Sequence, residues 1–198
     1  MNKAATTTSH KRYAGQDHDV RVAERRIRFI EAGLVQFGTI GYHATTVRSL
    51  CAEAELTARY YYESFDSIEA LLIACYQHLM GQFREHLINA LKGAEPGAED
   101  LVRAGLGCFF EAVLNPVFAR ITMVEVIGVS PQVDMTHMRN TQAFGNLMMD
   151  ALMPDEAKAH SLAANLEVLG YSLAGSLTFA AIYWMKGGYK VPMDQMVG

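Results

Sequence analysis

The chain has 198 residues, of which 51% are hydrophobic and 19% are charged. This composition provides enough apolar surface for a folded core and excludes general disorder. The three cysteines, Cys51, Cys75 and Cys108, each fall in an apolar helical pattern. We interpret them as reduced core residues of a cytosolic protein, because they are too few and odd in number for a disulfide framework.

The formal charge of −4 is unevenly distributed along the chain. Residues 1–65 carry nine Lys and Arg against seven Asp and Glu, whereas residues 66–198 carry eight against fourteen. The N-terminal third is therefore mildly basic and the remainder is acidic. If the N-terminal part binds nucleic acid, the electrostatic contribution to that binding is expected to be modest.

The chain opens with a polar segment and a first helix. Residues 1–19 lack the apolar run of a signal peptide and are predicted to form a disordered arm. The first helix is predicted over about Val20 to Phe37, with Gly41 after its end. Apolar residues three and four apart mark its buried face: Ile27, Ile30, Leu34 and Phe37. Arginines crowd its first turns, as a solvated face or as phosphate contacts: Arg21, Arg25, Arg26 and Arg28.

Residues 45–65 encode two short helices separated by a tight turn. In the first, apolar residues recur with the period of a helix: Val47, Leu50, Cys51 and Ala54. A threonine is placed to cap each helix: Thr45 or Thr46 for the first, and Thr57 for the second. In the second helix Tyr61 and Phe65 share the inward face, so the outward face is left to Arg59, Tyr60 and Glu63. This arrangement predicts a helix-turn-helix DNA-binding unit.

An ordered string of residues around these helices matches a known family. The matching residues are Phe37 and Gly41-Tyr42 before Thr45-Thr46, Ala54, Leu56 and Thr57 around the turn, and Tyr62, Phe65 and Glu69-Ala70-Leu71-Leu72 after it. On these residues, segment 21–72 resembles the DNA-binding domain of the TetR family of bacterial transcriptional regulators. The resemblance implies a helical body that binds a small molecule and that dimerises through its last two long helices.

The predicted DNA contacts centre on the start of the second short helix. Its N-terminal part enters the major groove first, and Arg59 and Tyr60 lie there. Arginine can pair with guanine through two hydrogen bonds, worth roughly 1–3 kcal/mol of discrimination. The resemblance adds phosphate contacts from the hydroxyls of Thr46 and Tyr62. The full predicted set is Thr46, Arg48, Thr57, Ala58, Arg59, Tyr60, Tyr62 and Ser64.

Four residues depart from the family pattern. Glu55 and Arg59 stand where glycine is usual, Ser64 replaces a frequent histidine, and Ile68 replaces a frequent lysine. If the turn needs a positive φ, Glu55 costs about 1 kcal/mol. The departures predict moderate DNA affinity with a modest salt dependence, with Lys11 and Arg12 of the arm as compensating cations.

The rest of the chain is predicted to be helical, without strands, and to bring the total to eight helices. A long helix runs from Ser67 to about Leu91, and Asp66 and Glu69 have the spacing of a capping box at its start. The helices that follow are separated by Gly and Pro and span about Ala98–Leu114, Val117–Ile127, Gln132–Leu152 and Asp155–Lys186.

The segment Val168–Met185 is uncharged and long enough to be considered as a membrane span. Small polar residues within it favour instead a helix buried nearly all round. Gly170, Ala174 and Thr178 form a row that permits close helix packing. We favour this row as part of a twofold dimer interface, with an intrachain core role as the alternative.

An apolar cavity for the effector is predicted in the body. The selected residues are Phe83, His86, Phe109, Phe110, Phe118, Met123, Glu125, Met148 and Asn165, with Phe144 and Met149 as further apolar candidates. Among them Glu125, Asn165 and His86 are expected to be buried polar groups. The histidines lack metal-ligand spacing, and no catalytic motif is present, so we expect no metal, no cofactor and no enzyme activity.

Together these features predict an all-α chain with a three-helix DNA-binding domain at residues 20–66 and an effector-binding and dimerisation domain at 67–198. The expected function is a cytoplasmic DNA-binding regulator. It is expected to be a homodimeric repressor released from a palindromic operator by an apolar or amphipathic effector. One alternative is a helical ligand-binding or scaffold protein with a degenerate helix-turn-helix. The other is a membrane-associated helical protein.

Overall fold

The computed structural model describes the backbone of residues 7–153 and 163–198, and this part of the chain is helical without strands. The predicted all-α fold class is confirmed. The helices are α1 (Thr7–Thr39), α2 (Val47–Ala54), α3 (Ala58–Ser64), α4 (Ile68–Gly93), α5 (Ala98–Leu114), α6 (Pro116–Arg120), α7 (Pro131–Leu152), α8 (Ala163–Lys186) and α9 (Met193–Val197). The chain divides into two compact units, Met1–Cys75 and Tyr76–Gly198, and the division falls inside α4.

Several helix bounds differ from the sequence predictions. Helix α1 begins at Thr7 instead of Val20, because no proline interrupts the segment and a formed helix gains one hydrogen bond per added residue. Helix α6 continues into a π-helical turn at Ile121–Glu125. The start predicted for the last long helix, Asp155, lies outside the described residues, as do residues 1–6 of the predicted arm.

Aromatic packing forms the core of the first unit. Phe29 of α1 and Tyr61 of α3 are fully buried and meet edge to face, with ring centroids 5.2 Å apart. The Tyr61 hydroxyl donates to the Ser67 carbonyl at 3.0 Å, so the buried phenol is satisfied. The predicted buried face of α1 was wrong at Ile27, which is 55% exposed, because the helix turns Phe29 inward instead.

Side-chain caps fix where α2 and α4 begin. The Thr46 hydroxyl accepts from the Ser49 amide at 3.1 Å, and the Ser49 hydroxyl accepts from the Thr46 amide, which completes a capping box. At α4, the Ser67 hydroxyl accepts from the Ala70 amide at 3.0 Å. The capping residue is therefore Ser67, one position after the Asp66 that the sequence pattern suggested.

In the second unit α7 packs closely along α8. A Cβ placed on Gly170 would lie 2.9 Å from the carbonyl carbon of Gly145, so both positions require glycine. Ala174, one helical turn further, is buried. Gly170 and Ala174 therefore belong to the intrachain core, and their favoured assignment to a dimer interface is corrected because α7 already covers them.

Candidate DNA-binding surface and effector cavity

The turn between α2 and α3 has the backbone of a left-handed helix cap. Glu55 has φ 50° and ψ 41°, and the Leu56 amide donates to the Cys51 carbonyl at 3.0 Å. This conformation closes α2 and redirects the chain into α3. It also requires a positive φ at a residue with a side chain, which is the strain that the sequence pattern anticipated.

Helix α3 presents one face inward and one face outward. Tyr61 is buried, whereas the side chain of Arg59 is 84% exposed and Tyr62 is also exposed. Tyr60 is half-buried, because the Arg25 guanidinium lies over its ring at 4.1 Å from the centroid. The outward face thus carries the exposed side chains of Arg59 and Tyr62, with the half-buried Tyr60 beside them.

Arginines of α1 hold α3 in place. The Nη1 atom of Arg26 donates to the Ser64 carbonyl at 2.6 Å, and its guanidinium lies 4.2 Å from the centre of the Phe65 ring. Arg25 bonds Glu63 at 3.2 Å in addition to covering Tyr60. Sequence reasoning left these arginines open between a solvated face and phosphate contact. The structure gives Arg25 and Arg26 a role within the unit.

Glu63 is shared by two cations. Its Oε2 atom lies 3.2 Å from Arg25, and its Oε1 atom lies 3.0 Å from Nε of Arg59, four residues earlier on the same helix. The exposed guanidinium is thus paired with a carboxylate on the outward face. Arg59 would exchange this partner on binding another anion, which costs little because exposed pairs at this spacing contribute roughly 0.3–0.5 kcal/mol.

The other predicted DNA contacts lie on the same two helices or at their ends. Thr46 caps α2, Arg48 is exposed on α2, and Ala58 is exposed at the start of α3. Thr57 occupies the N-cap position of α3, but its hydroxyl makes no capping hydrogen bond, contrary to expectation. The Ser64 hydroxyl donates to the Tyr60 carbonyl at 3.0 Å. Lys11 and Arg12 lie outside the residues whose side chains the structure describes.

A cavity of about 380 Å³ of empty space, partly open to solvent, lies in the second unit. It is lined by Tyr76, Met80, Phe83, Phe109, Phe118, Thr122, Met123, His137, Thr141, Phe144, Ala174 and Thr178. Its wall is largely aromatic. Phe109 and Phe144 stack with centroids 5.8 Å apart, and Phe83 packs against both. These side chains come from helices distant in sequence, which only the folded chain brings together.

The polar groups of the cavity are neutral. The Tyr76 hydroxyl lies 3.2 Å from Nδ1 of His137. Burial lowers the pKa of His137, and the nearby Asp134 carboxylate partly opposes that shift. Burial also raises the pKa of the Tyr76 phenol. The imidazole and the phenol are therefore both uncharged at neutral pH.

The structure distributes the predicted cavity residues among several places. Phe83, Phe109, Phe118, Met123 and the additional candidate Phe144 line the cavity. Phe110 and Met148 are buried in the core, where Phe110 meets Trp184 and Met148 approaches Gly105. His86 lines a separate open groove of about 1220 Å³ that also contains Cys108 and Glu111.

Of the three predicted buried polar groups, Glu125 is largely buried: its side chain is 11% exposed and pairs with Arg120 at 2.8 Å. The prediction was wrong for His86 and Asn165, which are exposed. Sequence reasoning missed Tyr76, Thr122 and His137. Thr122 carried a detectable signal, because it stands between Ile121 and Met123 in an apolar run and is buried. The sequence gives no signal for the pairing of Tyr76 with His137, because 61 residues separate them.

The outer face of α8 remains apolar and exposed. Val168, Phe179 and Tyr183 have exposed fractions of 65%, 76% and 78%. The expectation that Val168–Met185 is buried nearly all round was wrong within one chain. Among the described residues, Asn165–Lys186 is long and apolar enough to cross a membrane by length and composition, as is the bent pair Ala98–Leu114 and Pro116–Glu125 if it is counted as one span. No cluster of three or more metal-binding side chains occurs in the described ranges.

Comparison with known proteins follows the same division of the chain. Residues 29–75 match the family model described as bacterial regulatory proteins, tetR family. No curated protein matches the sequence. The matched segment contains α2 and α3, so these two helices form a helix-turn-helix of the tetR type.

Solved structures share the fold over most of the chain. The fatty acid degradation regulator FadR from Bacillus halodurans superposes with a TM-score of 0.72 at 18% identity, covering 87% of this chain and 90% of its own. FadR from Bacillus subtilis in complex with stearoyl-CoA gives 0.71 at 16%, covering 86% and 95%. A protein from Pseudomonas aeruginosa PAO1 described as a transcriptional regulator gives 0.73 at 21%, covering 88% and 86%. Residues 29–75 thus match the DNA-binding domain of the tetR family, and the solved structures show the same fold over most of the chain.

Proposed function

We propose that the chain is a cytoplasmic repressor that binds a palindromic operator as a homodimer and leaves it when a small apolar or amphipathic effector occupies the cavity. The observation that carries the DNA-binding part is the outward face of α3. That face presents Arg59 and Tyr62 while the buried Tyr61 fixes the orientation of the helix. A recognition helix needs a buried face that fixes its orientation and an exposed face that can reach the DNA.

The proposed contacts divide into two kinds. We propose that Arg59 and Tyr60 contact base edges and that the hydroxyls of Thr46 and Tyr62 bind phosphates. Arg48, Thr57, Ala58 and Ser64 complete the proposed surface. Because acidic Glu63 and Glu55 lie beside the cationic groups, the electrostatic part of the binding free energy is modest. A log–log salt titration with a slope near ten would contradict this.

The apolar face of α8 supports the homodimer. Val168, Phe179 and Tyr183 lie at helical spacing and would leave a large apolar patch in water if the chain were a monomer. A twofold interface covers such a patch with its own copy. Phe179→Asp should therefore produce monomers in sedimentation velocity without detergent. Leu114→Asp, at an exposed apolar site on α5, is the matched control and should leave the dimer intact.

The apolar cavity supports the effector part of the proposal. FadR from Bacillus subtilis was solved with stearoyl-CoA, an amphipathic ligand. Here the lining is aromatic and methionine-rich, which suits an apolar body. An effector that binds one of two conformations more tightly shifts the population toward that conformation. The resulting change in operator affinity is limited by the difference between the effector's affinities for the two conformations.

A gel-shift assay with DNA flanking the chain's own gene tests the proposal. Arg59→Ala should abolish or strongly weaken the shift while the circular dichroism spectrum stays unchanged. Arg84→Ala removes the same charge from the exposed surface of the second unit and should not weaken it. If no DNA shifts at low salt, the alternative of a helical ligand-binding or scaffold protein with a degenerate helix-turn-helix is favoured.

A further inference from the structure

Two threonine hydroxyls of the cavity donate their protons to backbone carbonyls. The Thr122 hydroxyl donates to the Phe118 carbonyl at 2.8 Å, and the Thr178 hydroxyl donates to the Ala174 carbonyl at 2.9 Å. A threonine hydroxyl has one proton and two lone pairs. Each of these two oxygens can therefore offer a ligand only a lone pair. They attract a hydrogen-bond donor and repel an anion.

The remaining polar groups of the cavity supply no positive charge. Tyr76 and His137 form a neutral pair, which can accept from or donate to a ligand depending on the imidazole tautomer. Thr141 adds one further hydroxyl. No Lys or Arg occurs among the described residues that line this cavity. An anion buried here would lose its hydration without gaining a cation, which is strongly unfavourable.

The aromatic wall favours an aromatic ligand. Four phenylalanines from α4, α5, α6 and α7 surround the space, and two of them, Phe109 and Phe144, are nearly parallel with an interplanar angle of 24°. Aromatic rings pack favourably in offset-stacked or edge-to-face geometry. The empty space of about 380 Å³ includes volume that is open to solvent, so the enclosed part admits only a compact ligand.

We propose that this cavity selects a compact, uncharged aromatic molecule that carries a hydrogen-bond donor, such as a phenol. The ring lies among the phenylalanines, and its hydroxyl donates to the oxygen of Thr122 or Thr178. This inference rests on the proposed function, since it names the chemical class of the effector of that cavity. It assigns a specificity role to the two threonines.

Three probes with one ring system test the inference by calorimetry on the full chain. These are 2-naphthol, 2-methoxynaphthalene, which lacks the donor, and 2-naphthoate, which is an anion. We expect 2-naphthol to bind about three- to tenfold more tightly than 2-methoxynaphthalene, which corresponds to the free energy of one net hydrogen bond. Binding of 2-naphthoate should be weaker still.

Variants assign the preference to the threonines. Thr122→Val and Thr178→Val should reduce the advantage of 2-naphthol over 2-methoxynaphthalene without weakening the latter. Thr136→Val is the control. The Thr136 hydroxyl donates to the Gln132 carbonyl at 2.9 Å, which is the same type of hydrogen bond, but Thr136 does not line the cavity. If a variant fails to fold, the ligand order on the unmodified chain still decides the outcome.

A neighbouring lobe of about 350 Å³ shares Met80, Phe83 and Phe144 with the cavity and includes the exposed Arg84. Tightest binding by 2-naphthoate or stearoyl-CoA, lost in Arg84→Ala, would overturn the neutral-donor inference, as would absence of binding by any naphthalene probe. Binding of 2-naphthol without release of DNA would support the ligand class and contradict the effector role.

Discussion

Replacing Glu55 by glycine should stabilise the DNA-binding unit. The residue has φ 50° and closes α2 in the left-handed conformation, where a Cβ atom approaches the following carbonyl oxygen. Glycine has no Cβ and is the usual residue at this position after a helix. Glu55→Gly therefore removes a local strain without removing any buried contact, since the Glu55 side chain is 86% exposed.

The size of the effect follows from three contributions. Relief of the left-handed conformation is worth about 1–2 kcal/mol. Glycine also lowers the free energy of unfolding by about 0.4–1 kcal/mol, because it makes the unfolded chain more flexible. The ion pair with Arg28, at 3.6 Å, is exposed and contributes close to nothing. We therefore expect a net gain in the free energy of unfolding of about 0.8 kcal/mol, the midpoint of the difference between the two larger contributions.

Glu55→Ala is the matched control for this prediction, because it removes the same charge but keeps the strained φ. Hydrogen exchange of peptides from residues 47–64 reports the opening of this unit separately from the rest of the chain. The glycine variant should exchange more slowly than both the alanine variant and the original chain, by up to about fivefold. Equal protection in the two variants would refute the reasoning that the backbone conformation strains Glu55.

Three further predictions concern other parts of the structure. Glu63→Gln releases Arg59 from its carboxylate and should tighten operator binding about two- to fivefold at low salt in a gel shift, whereas weaker binding would contradict the proposed role of Arg59. Gly145→Ala drives a methyl group into the backbone of Gly170 and should lower the free energy of unfolding by about 1–3 kcal/mol in urea titrations; an unchanged midpoint would disprove the close approach. Burial lowers the pKa of His137, so the unfolded chain takes up the proton more readily and stability should fall as the pH drops below about 6.5. That fall should shrink in His137→Gln, and a pH dependence equal to that of the original chain would exclude His137 as its source.

The helix-turn-helix could be predicted from the sequence in detail because its contacts are local. The stripe through Leu50 and Ala54 and the inward position of Tyr61 follow from helical spacing alone, and all three residues are buried. The strain at Glu55 was also anticipated, because the turn has a fixed backbone requirement. Ile27 was assigned to the wrong face, since a periodic run of aliphatic residues does not reveal that a neighbouring aromatic fills the core better.

The second unit could be predicted only as helices, because its specific contacts join residues far apart in the chain. Gly170 and Ala174 form a row of small residues that fits an intrachain helix or a second copy equally well, and only the position of Gly145 decides between them. The polar groups of the cavity could not be predicted for the same reason. Thr122 and His137 lie on different helices, and the proton of Thr122 is committed to its own helix. Spacing identifies a hydroxyl on a buried face, but ligand selectivity depends on where its proton points, which is a property of the folded backbone.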